Sequence, residues 1–292
     1  MYTNKVKRIA AVHDLSGFGR VSLTVVIPIL SSMGFQVCPL PTAVLSSHTQ
    51  YPEFSILDLT DEMPRIIAEW KKLDVQFDAF YTGYLGAPRQ VQIVSDFIDD
   101  FRQPDSLVVV DPVLGDNGRL YTNFDESMIR EMRHLATKAD VITPNLTELF
   151  YLMDKPYKAD NTDEELKSYL RLLSDAGPQV VIITSVPVHE ESHKTSVYAY
   201  NRVGDRYWKI TCPYLPAHYP GTGDTFTGKS TAQSGYAYPK RQLRIDLKCS
   251  YVTRWRNLFL FLGYELIHYY TEMNKFRQQV YVICLEVTLL IR

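Results

Sequence analysis

The sequence is short of the features that mark several protein classes. Cysteine is scarce, with four residues in 292. Cys38, Cys212, Cys249 and Cys284 stand far apart and form no C-x-x-C pair, so a disulfide scaffold or a thiolate metal knuckle is excluded and reduced, mostly buried thiols are expected. A basic excess is missing too: the formal net charge is −2, whereas a general nucleic-acid binder carries a basic stripe. No apolar run is long enough to cross a bilayer, which takes about 20 residues; the longest late stretch, Tyr281 to Ile291, is interrupted by Glu286. Nor is there a secretory leader, since Lys5, Lys7 and Arg8 precede only a short apolar run before His13 and Asp14. Internal repeats and low-complexity linkers are absent. These gaps point to a soluble, cytoplasmic protein with neither nucleic-acid nor membrane partners.

What is present suits a globular enzyme. Hydrophobic residues make up 46% of the chain, above the range of disordered segments. A chain of this length buries a sizeable core without staples, as two domains or as one large α/β domain. The charge is unevenly spread. Residues 1–227 carry 21 Lys and Arg against 29 Asp and Glu, whereas residues 228–292 carry 10 against 4.

Up to about residue 227, continuous apolar runs alternate with amphipathic stretches. The runs Ile9–Val12, Gln36–Leu45, Phe77–Tyr84, Leu107–Val113, Val141–Pro144, Val180–Ser185, Ser196–Tyr200 and Tyr207–Cys212 read as strands. Helix signals fall between them: Thr60 and Asp61 ahead of Ile66, Ile67 and Trp70, and Thr162 with Glu165 at capping-box spacing. Val21–Met33 is also helix-like despite Pro28. Continuous rather than alternating strands separated by helices predict a mostly parallel sheet covered on both faces.

Ligands of such sheets sit beyond the carboxyl ends of the strands, and polar clusters follow six runs in succession. They are His13 to Gly19, Ser46 to Thr49, Thr82 to Tyr84, Asp111 to Asp116, Thr143 to Glu148, and Thr184 with Ser185. The most informative segment is Gly221-Thr222-Gly223-Asp224. Two glycines let backbone N–H groups approach an anion, a helix opening there favours negative charge, and an aspartate at that point can serve as base for a hydroxyl. A plain Gly-rich turn with Asp224 as N-cap is the bland alternative.

Two motif matches fail on context. Gly223 to Ser230 satisfies the P-loop pattern, but no buried strand leads into it and the residues after Ser230 look too polar for a packed helix. His189-Glu190-Glu191-Ser192-His193 matches the zinc-protease pattern, which needs a helix. With Pro187 upstream and a strand resuming at Ser196, it reads as a polar hairpin loop.

Taken together, Gly17-Phe18-Gly19-Arg20, Ser46-Ser47-His48-Thr49, Thr82-Gly83-Tyr84, Asp111-Pro112-Val113-Leu114-Gly115-Asp116, Thr143-Pro144-Asn145-Leu146-Thr147-Glu148 and Gly221-Thr222-Gly223-Asp224 resemble the ribokinase-like kinases. Within them they resemble the pyridoxal (pyridoxamine) kinases, over about residues 6–227. The resemblance implies a three-layer α/β/α sandwich with a mostly parallel central sheet. It implies transfer of the ATP γ-phosphate to the 5′-hydroxymethyl of pyridoxal, pyridoxamine or pyridoxine, and a homodimer. Asp224 matches the base, and Gly221, Thr222 and Gly223 the anion hole. His48, Thr49 and Tyr84 match vitamin contacts, with His13, Asp14 and Ser16 near where the family places a serine against the ring. Asp111, Thr143 and Glu148 match positions that organise Mg²⁺, with K⁺ a further expected cation; Asp116, Asn145, Thr184 and Ser185 match nucleotide contacts together with Thr222. Taken singly, Asp111 also fits a turn residue, Glu148 a solvated helix-start charge and Tyr84 plain core. A hydroxymethylpyrimidine or sugar kinase of the same fold is the nearest alternative, and a non-catalytic ligand-binding homologue another.

After Thr227 the likeness stops. The expected organisation is a kinase body over 1–227 and an atypical 228–292 segment that completes the same domain. That segment reads either as a divergent tail or as the product of a shifted reading frame.

Overall fold

The structure, a computed structural model, describes residues 6–188, 193–214 and 220–236 and two short strands beyond them. The first half runs β1 (Arg8–Ser16), α1 (Leu23–Ser32), β2 (Gln36–Leu45), β3 (Ile56–Asp58), α2 (Met63–Lys72), β4 (Ala79–Thr82), α3 (Pro88–Phe101) and β5 (Leu107–Val110). A small hairpin, β6 (Gly115–Asp116) and β7 (Arg119–Leu120), precedes α4 (Glu126–Thr137), β8 (Val141–Ile142), α5 (Leu146–Leu152) and α6 (Asp163–Asp175). Then come β9 (Val180–Pro187), β10 (Lys194–Asn201), β11 (Arg206–Pro213), α7 (Thr222–Tyr236), and the short β12 (Cys249–Ser250) and β13 (Cys284–Leu285).

Nine strands form one sheet in the order β11-β10-β9-β8-β5-β4-β1-β2-β3. The six from β9 to β2 are parallel, while β3 at one edge and β10 and β11 at the other are antiparallel. Each central strand is buried on both faces, so its sequence is continuously apolar: Ile9, Ala10, Ala11 and Val12 are all inaccessible. Side chains alternate between two cores. Ala10, Val12, Phe80 and Val110 meet residues of α2 to α6, whereas Ile9, Ala11, Tyr81 and Val109 meet α1 and α7. This is the expected three-layer α/β/α sandwich, and it is ribokinase-like.

Several boundaries move from the sequence expectation for physical reasons. β1 runs on to Ser16, because it stays paired to β2 as far as Leu45 across a register shift after His13. His13, Asp14 and Ser16 are therefore on the end of a strand, not in a loop. β9 likewise continues past Thr184 and Ser185 to Pro187; those two residues form a bulge opposite β10, and Ser185 has φ of 57°. Pro28 is tolerated inside α1, which buries Leu23, Val26 and Leu30.

α7 corrects a further expectation, since the residues after Ser230 are helical through Tyr236. Its hydroxyls satisfy themselves: Thr225 Oγ1 donates to Gly221 O, Ser230 Oγ to Phe226 O and Thr231 Oγ1 to Thr227 O. Self-bonded in this way, a small polar face can be buried as if it were apolar, and Thr227, Thr231 and Ala232 are inaccessible. Lys229 and Ser230 thus lie mid-helix, where they cannot cradle a phosphate as a P-loop does. Cys38 is a free thiol. The zinc-protease match spans residues 189–193; 189–192 lie outside the described residues, and His193 is exposed in the turn just before β10. β9 and β10 flank it as antiparallel neighbours.

Candidate active site

The carboxyl ends of β1, β2, β4, β5 and β8 meet the N-terminus of α7, and the functional candidates gather there. Gly221 turns the chain into the helix with φ of +80°, and a Cβ on it would lie 2.3 Å from Arg20 O. Only glycine fits that approach. Thr222 and Gly223 follow, both exposed, so their N–H groups open onto solvent at the positive end of a 15-residue helix.

Asp224 is seated one residue further on. Its Oδ2 accepts the N–H of Ser22 at 2.8 Å, and Tyr81 donates its hydroxyl to the Asp224 backbone oxygen at 3.3 Å. Burial pushes the carboxyl pKa up to about 6, the Ser22 N–H opposes that shift, and the charge on Asp14 adds to it. The same Ser22 donates its hydroxyl to Asp14 Oδ1 at 2.5 Å, while Ser16 donates to Asp14 Oδ2 at 3.2 Å. One residue thereby spaces two carboxylates. Ser22 itself has φ of 52°, a left-handed conformation rare outside glycine and typical of functional sites.

Several of the residues expected to face a ring stand near Asp14. Tyr84 stacks on Phe124 at 5.8 Å, and its phenol is raised by burial and by the charges of Asp14 and Asp58. His48 lies over Gly19, where a Cβ would be 2.1 Å from its ring, and it packs on Tyr51 at 4.6 Å. Thr49 is exposed next to it. His13 does not join this wall: it is fully buried behind Asp224 and edge-on to Tyr81.

On the other side of the helix end is an acidic pair. Asp111 is buried and accepts a hydroxyl hydrogen bond from Thr227 at 3.2 Å; Thr227 in turn contacts Thr143 at 3.0 Å. Burial and then the Asp224 charge raise Asp111 to about 7, against the hydroxyls of Thr227 and Thr143. Its Oδ2 is 4.0 Å from where a Gly223 Cβ would stand, so it borders the anion hole.

Glu148 is no solvated helix-start charge but a buried one. Its oxygens accept from Asn145 N at 2.8 Å and Leu114 N at 3.2 Å, and burial followed by the Asp111 charge raises it well above the usual range. Asn145 closes the capping box of α5 and donates Nδ2 to Gly115 O at 2.8 Å. One Nδ2 hydrogen is used in this way, and the second remains for a nucleotide. Asp116 is exposed on the hairpin, Thr184 is half-buried and Ser185 is exposed.

Among the described residues no cluster of three or more His, Cys, Asp or Glu side chains could hold a metal ion. An Mg²⁺ ion still fits the chemistry of Asp111, a hard oxygen donor whose pKa is raised by burial and then by the Asp224 charge, provided phosphate oxygens and water complete its shell. Glu148 could act through such water, since each of its oxygens accepts one backbone N–H and keeps a further lone pair. Sequence reasoning missed Ser22, Tyr81 and Thr227. Hydroxyl residues in a helix-like stretch, an apolar run and a helix carry no motif; only the folded contacts single them out.

The profile of the phosphomethylpyrimidine kinase family matches residues 30–241. The chain belongs to that family. Members with solved structures share the fold at close range. A Bacteroides thetaiotaomicron protein described as a phosphomethylpyrimidine kinase, crystallised in one form with pyridoxal, is 86% identical over 78% of this chain and 80% of its own, with a TM-score of 0.76. Pyridoxal kinase from Lactobacillus plantarum is 32% identical, covering 80% and 82% of the two chains at a TM-score of 0.73. Pyridoxal kinase from Leishmania donovani, in complex with ADP and pyridoxamine, is 25% identical over 79% and 83% at 0.72. A second, rhombohedral form of the Bacteroides thetaiotaomicron protein aligns over 98% of this chain at 69% identity. Of 292 residues, 86% of 78% is about 196 identities and 69% of 98% is about 197. The added fifth of the chain contributes almost none.

Proposed function

We propose that this family member is a pyridoxal kinase, transferring the γ-phosphoryl group of ATP to the 5′-hydroxymethyl of a B6 vitamer. The observation that carries the reading is the placement of Asp224. A half-buried carboxylate of raised pKa stands at the start of α7, between Asp14 on one side and Asp111 on the other. The base takes the hydroxyl proton as the oxygen bonds to the γ-phosphorus and the bond to the β-phosphate oxygen breaks, leaving ADP. The N–H groups of Thr222 and Gly223 lie where charge on the transferred group would be held. Phosphoryl transfer asks little covalent work of a protein, so positioning and electrostatics suffice.

Roles follow from position. Asp14, Tyr84, His48 and Thr49 line the vitamin side, with Ser16 holding Asp14. Asp111 and Thr143 stand on the nucleotide side, where Mg²⁺ would neutralise phosphate charge, and Glu148 would meet that ion through water. Asp116, Thr184 and Ser185 border the nucleotide; K⁺ is a further candidate there. Pyridoxal bound to the 86% identical relative favours a vitamer, whereas the family description favours a hydroxymethylpyrimidine. A coupled ATPase assay comparing kcat/KM for pyridoxal, pyridoxamine, hydroxymethylpyrimidine and ribose decides. A preference for the pyrimidine or the sugar, or vitamer binding without turnover, defeats the proposal.

A cytoplasmic location goes with the ATP-dependent reading; separately, no helix among the described residues is long and apolar enough to cross a membrane. A homodimer is supported by the edge of the sheet, where Val44, Phe54, Ile56 and Leu57 are exposed. An uncovered apolar edge strand invites pairing. Light scattering of Leu57→Lys should show monomers where the parent shows dimers.

A further inference from the structure

His13 breaks the rule that buried polar groups find partners. It has no accessible surface, and neither Nδ1 nor Nε2 makes a hydrogen bond. Such orphans are costly and need an explanation. The surroundings hold the ring in place. Tyr81 meets it edge-on at 4.4 Å, and a Cβ on Gly83 would come within 2.2 Å of Nδ1. The glycine of Thr82-Gly83-Tyr84 is thus the space into which this imidazole fits. Beyond Nδ1 lies Asp224 Oδ1, at 3.9 Å.

We infer that His13 is a positioning residue for Asp224, its Nδ1–H closing on Oδ1 in the loaded enzyme and fixing the carboxylate together with the Ser22 N–H on Oδ2. This rests on the kinase reading above, and it moves His13 from the vitamin wall to the back of the base. A carboxylate held at one oxygen still swings about its last bond, and a second donor removes that freedom. The gap is about 1 Å longer than a hydrogen bond, and catalytic hydrogen bonds are often long before substrate arrives. Burial keeps the imidazole neutral by lowering its pKa to about 3, so it donates without placing a positive charge that would quench the base.

The test is a comparison of His13→Leu and His13→Gln in the full chain. His13→Leu should lower kcat by about 10- to 100-fold, the range of a small misplacement, while KM for the vitamer stays within about twofold. His13→Gln, which keeps an N–H donor, should recover most of the rate. In an Asp224→Ala background, His13→Leu should change nothing further. A raised KM at unchanged kcat would place His13 on the vitamin instead, and unchanged kinetics would make it mere filling. Equal losses in both variants with lowered Tm would make it structural. If the parent chain turns over no vitamer, the kinase reading fails, and ¹⁵N-histidine spectra then judge the inference on their own. His13 should be the Nδ1–H tautomer, with a resonance that moves on Asp224→Asn. An Nε2–H tautomer, or a resonance blind to that change, overturns it.

Discussion

A base that must take a proton near neutral pH works best when its own pKa lies close to that pH, and Asp224 is brought there by burial, to about 6. The Ser22 N–H holds it just below neutrality, so it remains ionised in the working range. Activity should therefore be flat above about pH 7 and fall as pH drops through 6, where the carboxyl protonates; kcat profiles between pH 5 and 9 check this. Asp224→Asn keeps the shape and the Ser22 contact but cannot accept the proton, and should lower kcat by about 10²- to 10⁴-fold. Lys229→Ala, at the mid-helix lysine of the P-loop match, should leave kcat within about twofold, as for most changes away from a site. The reverse pattern would mean that the glycine-lysine-serine run is the working one.

At the scale of elements, the start of α7 and the start of α6 make opposite predictions. Gly221→Ala forces a side chain into a left-handed backbone and against Arg20 O, a strain of about 1–3 kcal/mol. It should lower Tm and activity together, since the same turn aims the anion-hole amides. Thr162→Ala removes the N-cap of α6, where Thr162 and Glu165 form a full capping box. It should cost about 1 kcal/mol in thermal unfolding and leave kcat untouched. That box was legible in the sequence, as were the central strands, because capping spacing and continuous apolar runs are local signals. The edge strand β3 was not: Ile56, Leu57 and Asp58 are all exposed, and their pairing to β2 leaves no periodic trace. The opening of α7 was legible at Gly221 to Asp224, but its continuation past Ser230 was not, because its small polar residues read as loop until the i−4 hydrogen bonds are seen. Legibility was partial for Glu148 and Asn145. Their residue types fit a solvated helix start and a nucleotide contact equally well, and only burial shows that the two cap each other.

For the whole molecule, the clustered carboxylates link stability to pH and to cations. Asp111 and Asp224 bind protons more tightly folded than unfolded, with pKa values near 7 and 6 against an ordinary 3.8. Stability they confer is complete below about pH 4 and is lost as pH rises through 6 to 7. Mg²⁺ bound at Asp111 would compensate the charge only once the carboxyl has ionised. Added Mg²⁺ should therefore raise Tm at pH 8 and scarcely at pH 5. Equal shifts at both values would place the ion elsewhere.

The remaining large-scale feature is the break in the chain's own character. Residues 1–227 carry a net charge of −8 and residues 228–292 one of +6; extending the match to the Bacteroides thetaiotaomicron relative from 78% to 98% of the chain adds almost no identities, and the family match ends at residue 241. Gradual divergence erodes a sequence throughout, most at the surface and least in the core. It does not leave 86% identity in four-fifths of a chain and almost none in the rest. A displaced reading frame does this in one step, replacing every later residue and with it both charge balance and hydrophobic pattern. We propose that origin for the segment that should complete the kinase domain. Resequencing across codons 220–245 should find one inserted or deleted base relative to a frame encoding an acidic, apolar-patterned continuation of α7. The protein with the restored frame should unfold at higher temperature and phosphorylate pyridoxal faster than the 292-residue chain. An uninterrupted gene, with a chain of the stated mass and equal stability, would make the tail a genuine and tolerated divergence.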